Sequence, residues 1–328
     1  MIDCLDLEYE LEEIDSVECL GEFEDEYVYD IEVDDWTHTF IGNDILVHNS
    51  VYTTYGTLFK AMDKESQERY KTDNDKIQFI LKFNKEFVDK QNREWCEAIY
   101  NPRHGNSIHE FELETISKSC IYLKKKKYIK GLVYSKGKFF NKPKIYGTGI
   151  EIIKSTTPKL CRTILSDLTE SLMFDYNSDN KKEYILFFND KLKKYKKEFY
   201  NANVEDVSQS VSIGDYGKYV ISENPLILSK GTPVSVKAIS RYNYLATINN
   251  EPNKKLYSGK IKYYNILVGK NEDFFGYPAG ELPSWAPPMY KSLQWDKNVI
   301  KPINRFLEVL DIPKVNANNE LQCTLFDF

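Results

Sequence analysis

Residues 27–50 read YVYDIEVDDWTHTFIGNDILVHNS, and this stretch decides how the rest of the chain is understood. Apolar and polar residues alternate through it, a turn falls at Gly42-Asn43-Asp44, and the short apolar run Ile45-Leu46-Val47 resumes the extended pattern. Such a pattern predicts a β-hairpin-like unit. The stretch closes on His48-Asn49, is followed by the hydroxyl residue Ser50, and carries a second histidine, His38, on the preceding strand. An asparagine amide can attack its own backbone carbonyl, close a five-membered succinimide and cut the chain after itself. Polarising that carbonyl and protonating the leaving amine is work for neighbouring imidazoles, and His48 and His38 are in range by sequence. A residue that accepts an acyl chain before the cleavage must be Ser, Thr or Cys, and Ser50 supplies that oxygen.

Charge divides the chain at the same place. Residues 1–49 hold 17 Asp and Glu and no Lys or Arg, whereas residues 50–328 hold all 44 basic residues against 33 acidic ones, a surplus of 11. Two chemically different proteins are thus joined near residue 49. An acidic solvated tail is the plain alternative. Against it, Leu5, Leu7, Leu11, Ile14, Val17, Leu20, Val28 and Ile31 interleave with the acids and are able to pair as strands. A segment both so acidic and so apolar calls for a basic partner.

At these residues the segment closely resembles the C-terminal splicing blocks of inteins, in VYDIEV, H-x-F and NDILVHN followed by Ser. The resemblance implies Asn49 as the cyclising residue, His48 as its penultimate assistant, His38 as the second histidine, Ser50 as the first residue of the C-extein and Asp30 as a carboxylate aiding the upstream acyl shift. Residues 1–26 contain neither a first-residue Cys or Ser nor a TxxH block, and the chain opens on Met1. The expectation is a split intein of the Hint fold, its β-rich C-terminal half here and its N-terminal half on a separate polypeptide recruited by charge.

After Ser50 the chain reads SVYTTYG, expected as a strand, then a long helix near residues 74–101 with Ile77, Ile80, Leu81, Phe87, Val88, Trp95 and Ile99 close to one face. A strand HEFELETI follows, with Glu110, Glu112 and Glu114 on one side and Phe111 and Leu113 on the other. Then comes Lys124-Lys125-Lys126-Lys127-Tyr128. A four-lysine run is often a solvated turn, but clustered cations are also what phosphates need, and the basic surplus and the tyrosine favour nucleic acid. Ser155-Thr156-Thr157-Pro158-Lys159 reads as a helix start with Thr157 as N-cap and Pro158 at the first helical position. Lysines at 181–200 suit either a helix along a phosphate backbone or a solvated face.

SVYTTYG, LETIS with KKKKYI, TGIEIIKSTTPK, Arg241-Tyr242-Asn243 and the terminal TLFDF match, in order, the C-terminal third of T-even-like phage family B DNA polymerases, across nearly all of residues 50–328. By that resemblance Ser50 ends an Asp-Thr-Asp-Ser palm turn whose aspartates, with their Mg²⁺, lie on the partner polypeptide, so no metal ligand is expected in this chain and no cofactor for splicing. Lys126 and Tyr128, flanked by Lys125 and Lys127, match the KxY element that grips primer-template DNA. Glu114 matches a palm carboxylate near the metals, although an exposed strand residue is an equal reading of it. Leu325, Phe326 and Phe328 match a tail that docks on a sliding clamp. The expected order is an α+β multidomain chain: intein fragment 1–49, palm strands with a long helix 50–150, a mostly helical thumb 151–322 and a clamp-binding tail 323–328. Its function would be trans-splicing followed by templated DNA synthesis from dNTP once joined to the N-terminal half. The alternative is a non-catalytic DNA-binding and clamp-interacting subunit with an inert intein remnant. Six scattered cysteines without a CxxC pair, and no apolar run of about 18 residues, suggest a cytoplasmic chain that binds no membrane.

Overall fold

A computed structural model describes residues 39–42, 45–48, 55–91, 93–94, 113–124, 126–176 and 180–316. The chain divides into two compact units, Met1–Glu68 and Arg69–Phe328, and the expected junction at 49/50 lies outside the described residues. The architecture is mixed α and β, and among the described residues every strand pair is antiparallel. Among the described residues no helix is long and apolar enough to cross a membrane.

In the first unit, β1 (Thr39–Gly42) pairs with β2 (Ile45–His48), Thr39 opposite His48 and Gly42 opposite Ile45. Of the expected turn Gly42-Asn43-Asp44, Gly42 closes β1, and Asn43 and Asp44 lie outside the described residues. Of SVYTTYG, residues 50–54 lie outside the described residues, and its end is helical rather than extended. Tyr55 adopts helical backbone angles and its carbonyl accepts the first bond, from Phe59 N, of α1 (Gly56–Ala61). The correction follows from what comes after, since Leu58, Lys60 and Ala61 are good helix formers that override one β-rich run. At the start of α2 (Lys64–Arg69), Asp63 accepts hydrogen bonds from the Ser66 amide (2.8 Å) and hydroxyl (3.0 Å).

The second unit opens on α3 (Asp73–Phe83), fixed by a reciprocal cap. Thr72 Oγ1 accepts from the Asp75 amide at 3.2 Å, and Asp75 Oδ2 accepts from the Thr72 amide at 3.2 Å. A wide π turn follows at Asn84–Val88 and the chain stays helical through residue 91. Ile77 and Ile80 are buried, as the periodicity predicts, but Phe87 is exposed. The π turn bonds i to i+5 and so rotates everything beyond it away from the predicted face. Phe87 stacks on Phe83 at 5.2 Å instead, and Phe83 on Phe79 at 5.9 Å. Trp95 and Ile99 lie outside the described residues.

Three strands then form a meander, β3 (Thr115–Lys124), β4 (Lys127–Ser135) and β5 (Lys138–Thr148), in that order across the sheet. The strand predicted over HEFELETI starts later, at Thr115, and residues 109–112 lie outside the described residues. Thr115 faces Ser135, the last residue of β4, and the chain then turns through Lys136 and Gly137, both at positive φ. Glu114 thus has no strand residue opposite it; its carbonyl accepts the Lys136 amide at 3.1 Å.

Next come α4 (Lys159–Phe174) and α5 (Lys181–Asn201). The cap of α4 differs by one residue from expectation. Pro158 sits at N-cap, its carbonyl accepting from the Arg162 amide at 2.9 Å, and Thr157 stands one residue before it, buried. One core unites the inner side of the meander (Ile121, Ile129) and Ile150 with α4 (Ile164, Leu165, Leu168), α5 (Phe188, Leu192, Phe199) and the C-terminal helical segment. That segment runs from α9, given below, through a π turn at Asp296–Ile300 into α10 (Lys301–Val309), supplying Trp295, Ile303 and Phe306. The core therefore runs without a break across residue 150.

The region after residue 201 is not helical throughout. Short helices α6 (Val204–Val207) and α7 (Tyr216–Tyr219) flank β6 (Gln209–Ile213), and α8 (Val234–Ile248) packs on a second meander made by β6, β7 (Gly259–Val268) and β8 (Asn271–Pro278), before α9 (Lys291–Trp295). Alternation in KIKYYNILV and NEDFFGYP, with Gly269-Lys270 between them, was the overlooked strand signal. Tyr242, Tyr264, Phe275 and Tyr277 form the aromatic centre of this second core.

Candidate nucleic-acid interface

The lysine run makes the tip of the β3–β4 hairpin. Lys124 pairs with Lys127, which leaves two residues for the turn, and Lys126 adopts φ +57° there. Lys125 lies outside the described residues. Lysine is a poor residue for the left-handed region, so something must hold the turn. Gly149, itself at φ +63°, abuts the Lys126 carbonyl and the Lys127 side chain so tightly that a Cβ has no room. The turn is thus braced from behind by the residue that follows β5. Lys126 is exposed, and Lys127 and Tyr128 are half-buried beside it.

The charge of the meander is one-sided. Residues 115–148 contain ten lysines and no Asp or Glu. Near the tip, strand alternation and register put its side chains on two faces. Ile121, Leu123, Ile129 and Ile145 pack into the core, while Tyr122, Tyr128, Lys130 and Tyr146 share the opposite face. Tyr122 lies directly across from Tyr128, with ring centroids 5.8 Å apart. Lys130 reaches between two rings, its Nζ 5.6 Å from the Tyr128 centroid and 5.5 Å from that of Tyr146, and donates to Thr115 Oγ1 at 3.2 Å. Cation–π attraction is strongest when the ammonium has lost water, and Lys130 is buried. Partial burial, with Cys120 and Tyr128 alongside, pushes the Tyr122 phenol up to about 12, so it stays a neutral hydrogen-bond donor at ordinary pH.

Glu114 is not part of this cluster. It lies at the far end of the hairpin, its carboxylate 3.9 Å from Lys136 Nζ with both side chains largely exposed. The nine residues of β4 separate it from the lysine turn, about 30 Å of extended chain. Lysines of α5 do not form one uninterrupted stripe either. Lys191 pairs with Asp167 at 2.6 Å and Lys193 with Asp190 at 3.5 Å. Arg241, Tyr242 and Asn243 turn inward: Arg241 pairs with Asp273, Tyr242 packs against Trp285 with tilted rings 5.2 Å apart, and Asn243 exchanges two hydrogen bonds with the Leu256 backbone.

The chain matches no protein-family model, and the search of curated proteins returned no match. Among the described residues no cluster of His, Cys, Asp and Glu could hold a metal ion. His48 ends β2, opposite Thr39. Asp30, His38, Asn49 and Ser50, and likewise Leu325, Phe326 and Phe328, lie outside the described residues. Tyr122, Lys130, Tyr146 and Gly149 went unremarked in the sequence. The first three were signalled by the acid-free stretch with tyrosines spaced along it, whereas nothing local marks Gly149, whose neighbour is 23 positions earlier.

Proposed function

We propose that this chain is the C-terminal half of a split precursor, in which an intein fragment ending at Asn49 is removed in trans and residues from Ser50 onward complete a family B DNA polymerase. The observation that carries the reading is the junction His48-Asn49-Ser50 within the typed stretch that begins at Tyr27. The β1–β2 register supports it, since Thr39 and His48 form the open end of that hairpin and are bonded to His38 and Asn49 respectively. In this reading Asp30 aids the upstream acyl shift that leaves the partner's last residue as an ester on Ser50 Oγ, His48 and His38 assist succinimide closure at Asn49, which frees the Ser50 amine, and that amine then takes the acyl group from its own Oγ, the ester breaking as the peptide bond forms. Primer-template DNA, dNTP, Mg²⁺ and a sliding clamp belong to the ligated product, with the metal's ligands on the partner. The acid-free meander with its lysine tip suits the DNA contact.

The test mixes the chain with a candidate N-terminal polypeptide and follows mass. A ligated product together with release of residues 1–49 is the expected result, and Asn49→Ala should block the release. Nucleic-acid binding with no ligation by any such partner would instead leave a DNA-binding subunit bearing an inert remnant.

A further inference from the structure

The lysine tip accounts for phosphate contact, but it leaves the flat face behind it unexplained. Tyr122 and Tyr146 are 45% and 47% exposed on that face, at the two outer strands of a three-stranded sheet. Apolar surface clustered and rimmed by polar groups marks interaction sites, and here the rings stand amid lysines with no carboxylate anywhere in residues 115–148. From the register, Tyr122 and Tyr146 are two strand spacings apart across the sheet and two residues apart along it, about 12 Å. Lys144, two residues before Tyr146, lies on the same side of β5, and the turn lysines rim the other end. Between the tyrosines, Lys130 is anchored by Thr115 and touches the Tyr128 and Tyr146 rings at once.

We infer that this face binds an unpaired nucleic-acid strand, with bases stacked on Tyr122 and Tyr146, phosphates on Lys126 and Lys144, and Lys130 as the positioning residue that holds the Tyr128 and Tyr146 rings. A duplex hides its base faces within its own stack and can use only the lysines, and an acidic peptide offers no flat ring to stack; an unpaired strand uses both features of the surface. The inference rests on the reading of this sheet as a nucleic-acid surface and adds which form of nucleic acid it takes and through which residues.

The experiment measures fluorescence anisotropy of the full chain with labelled oligothymidine and with a labelled duplex of equal length, across a salt series. Oligothymidine should bind more tightly than duplex. Tyr122→Leu and Tyr146→Leu should each weaken it about 5- to 100-fold with little change for duplex, the range expected for loss of one stacked base. Tyr146→Phe should bind as wild type. Lys130→Met should weaken oligothymidine without altering the salt slope, because its ammonium meets rings rather than phosphate. Crosslinking of a 5-iodouracil oligonucleotide to the wild-type chain, mapped by mass spectrometry, should find Tyr122 or Tyr146, and this measurement needs no variant to fold. Wild-type affinity in both leucine variants, preference for duplex, displacement by polyglutamate as effective as by oligothymidine, or crosslinks confined to other residues would each overturn the inference. Lys126→Gln separates the two readings. If it leaves duplex affinity and its salt slope unchanged while it and the leucine variants weaken oligothymidine, the primer-template grip assigned to the lysine tip fails and the stacking surface stands.

Discussion

Gly149 lies directly behind the carbonyl of Lys126, and both residues hold positive φ. One strained turn is therefore supported by another, and the lysine tip is stiff because a residue outside the hairpin leaves no room behind it. Gly149→Ala adds a methyl group where the Lys126 carbonyl stands and forces alanine into the left-handed region, with an expected loss of roughly 2–4 kcal/mol. Gly231→Ala provides the comparison, since Gly231 has φ +82° but open space around it, and should cost about 1 kcal/mol. Urea unfolding of both variants checks the difference; equal losses would mean that the contact with Lys126 contributes nothing.

The Arg241–Asp273 pair joins α8 to β8, with both side chains mostly shielded from water. Asp273 also accepts the Phe274 amide at 2.8 Å. Asp273→Ala leaves the guanidinium without its carboxylate and should lower stability by about 2–3 kcal/mol, screening included. Thermal unfolding would show it, and an unchanged midpoint would rule the pair out as a support for the second core.

Acid should weaken the first core through two carboxylates. Burial alone would raise Asp167, but hydrogen bonds from Lys191 and Tyr195 overcome it and hold the carboxyl below its usual range. Burial of Glu151 is likewise outweighed by Arg305, 2.7 Å away. Each group is ionised to lower pH in the folded chain than in the unfolded one, so its stabilisation is fully present above the ordinary carboxylate pKa near about 4 and is lost as pH falls through the lower folded value. Unfolding midpoints of Asp167→Asn and Glu151→Gln should vary less steeply than wild type below about pH 4.

Alkali should act on the second core in the opposite sense. Burial pushes the Tyr277 phenol up to about 12, partly offset by its hydrogen bond to Ser208, and raises Tyr264 as well. Stability from these groups is present below the unfolded tyrosine value near about 10 and is lost as pH rises through the folded values. Tyr277→Phe should flatten that alkaline decline, measured by the same unfolding midpoints.

Removal of residues 323–328 tests the tail. Under the proposed function, synthesis by the ligated product should shorten when clamp is present and stay unchanged without it; equal losses in both assays would sink the docking role proposed for Leu325, Phe326 and Phe328.

The helical stretch from residue 73, the lysine turn and the mixed α and β character were legible because each is written in neighbouring residues. Ile77 and Ile80 follow helical spacing, and four lysines cannot continue a buried strand. What stayed hidden depends on bonds with no local mark. The π turn at Asn84–Val88 shifts the phase of Phe87 although the apolar spacing runs on. Glu114 leaves the strand because β4 turns away at Lys136, a residue 22 positions later. Lys130 reads as one more surface cation until Tyr146 is brought beside it by the third strand.

The core that anchors the meander also sets a timetable for synthesis. Helix α10 packs against β3, and Ile121 and Phe306, members of one core, are separated by 185 positions. Contacts that distant form late, and exposed strand edges are prone to wrong pairings until they do. A ribosome that has made the lysine hairpin must still make the whole of α4 through α10 before the apolar side of that hairpin is sealed. Slow codons or a pause within that interval would lengthen the time during which Ile121 and Ile129 face water, and the yield of folded chain would fall with it.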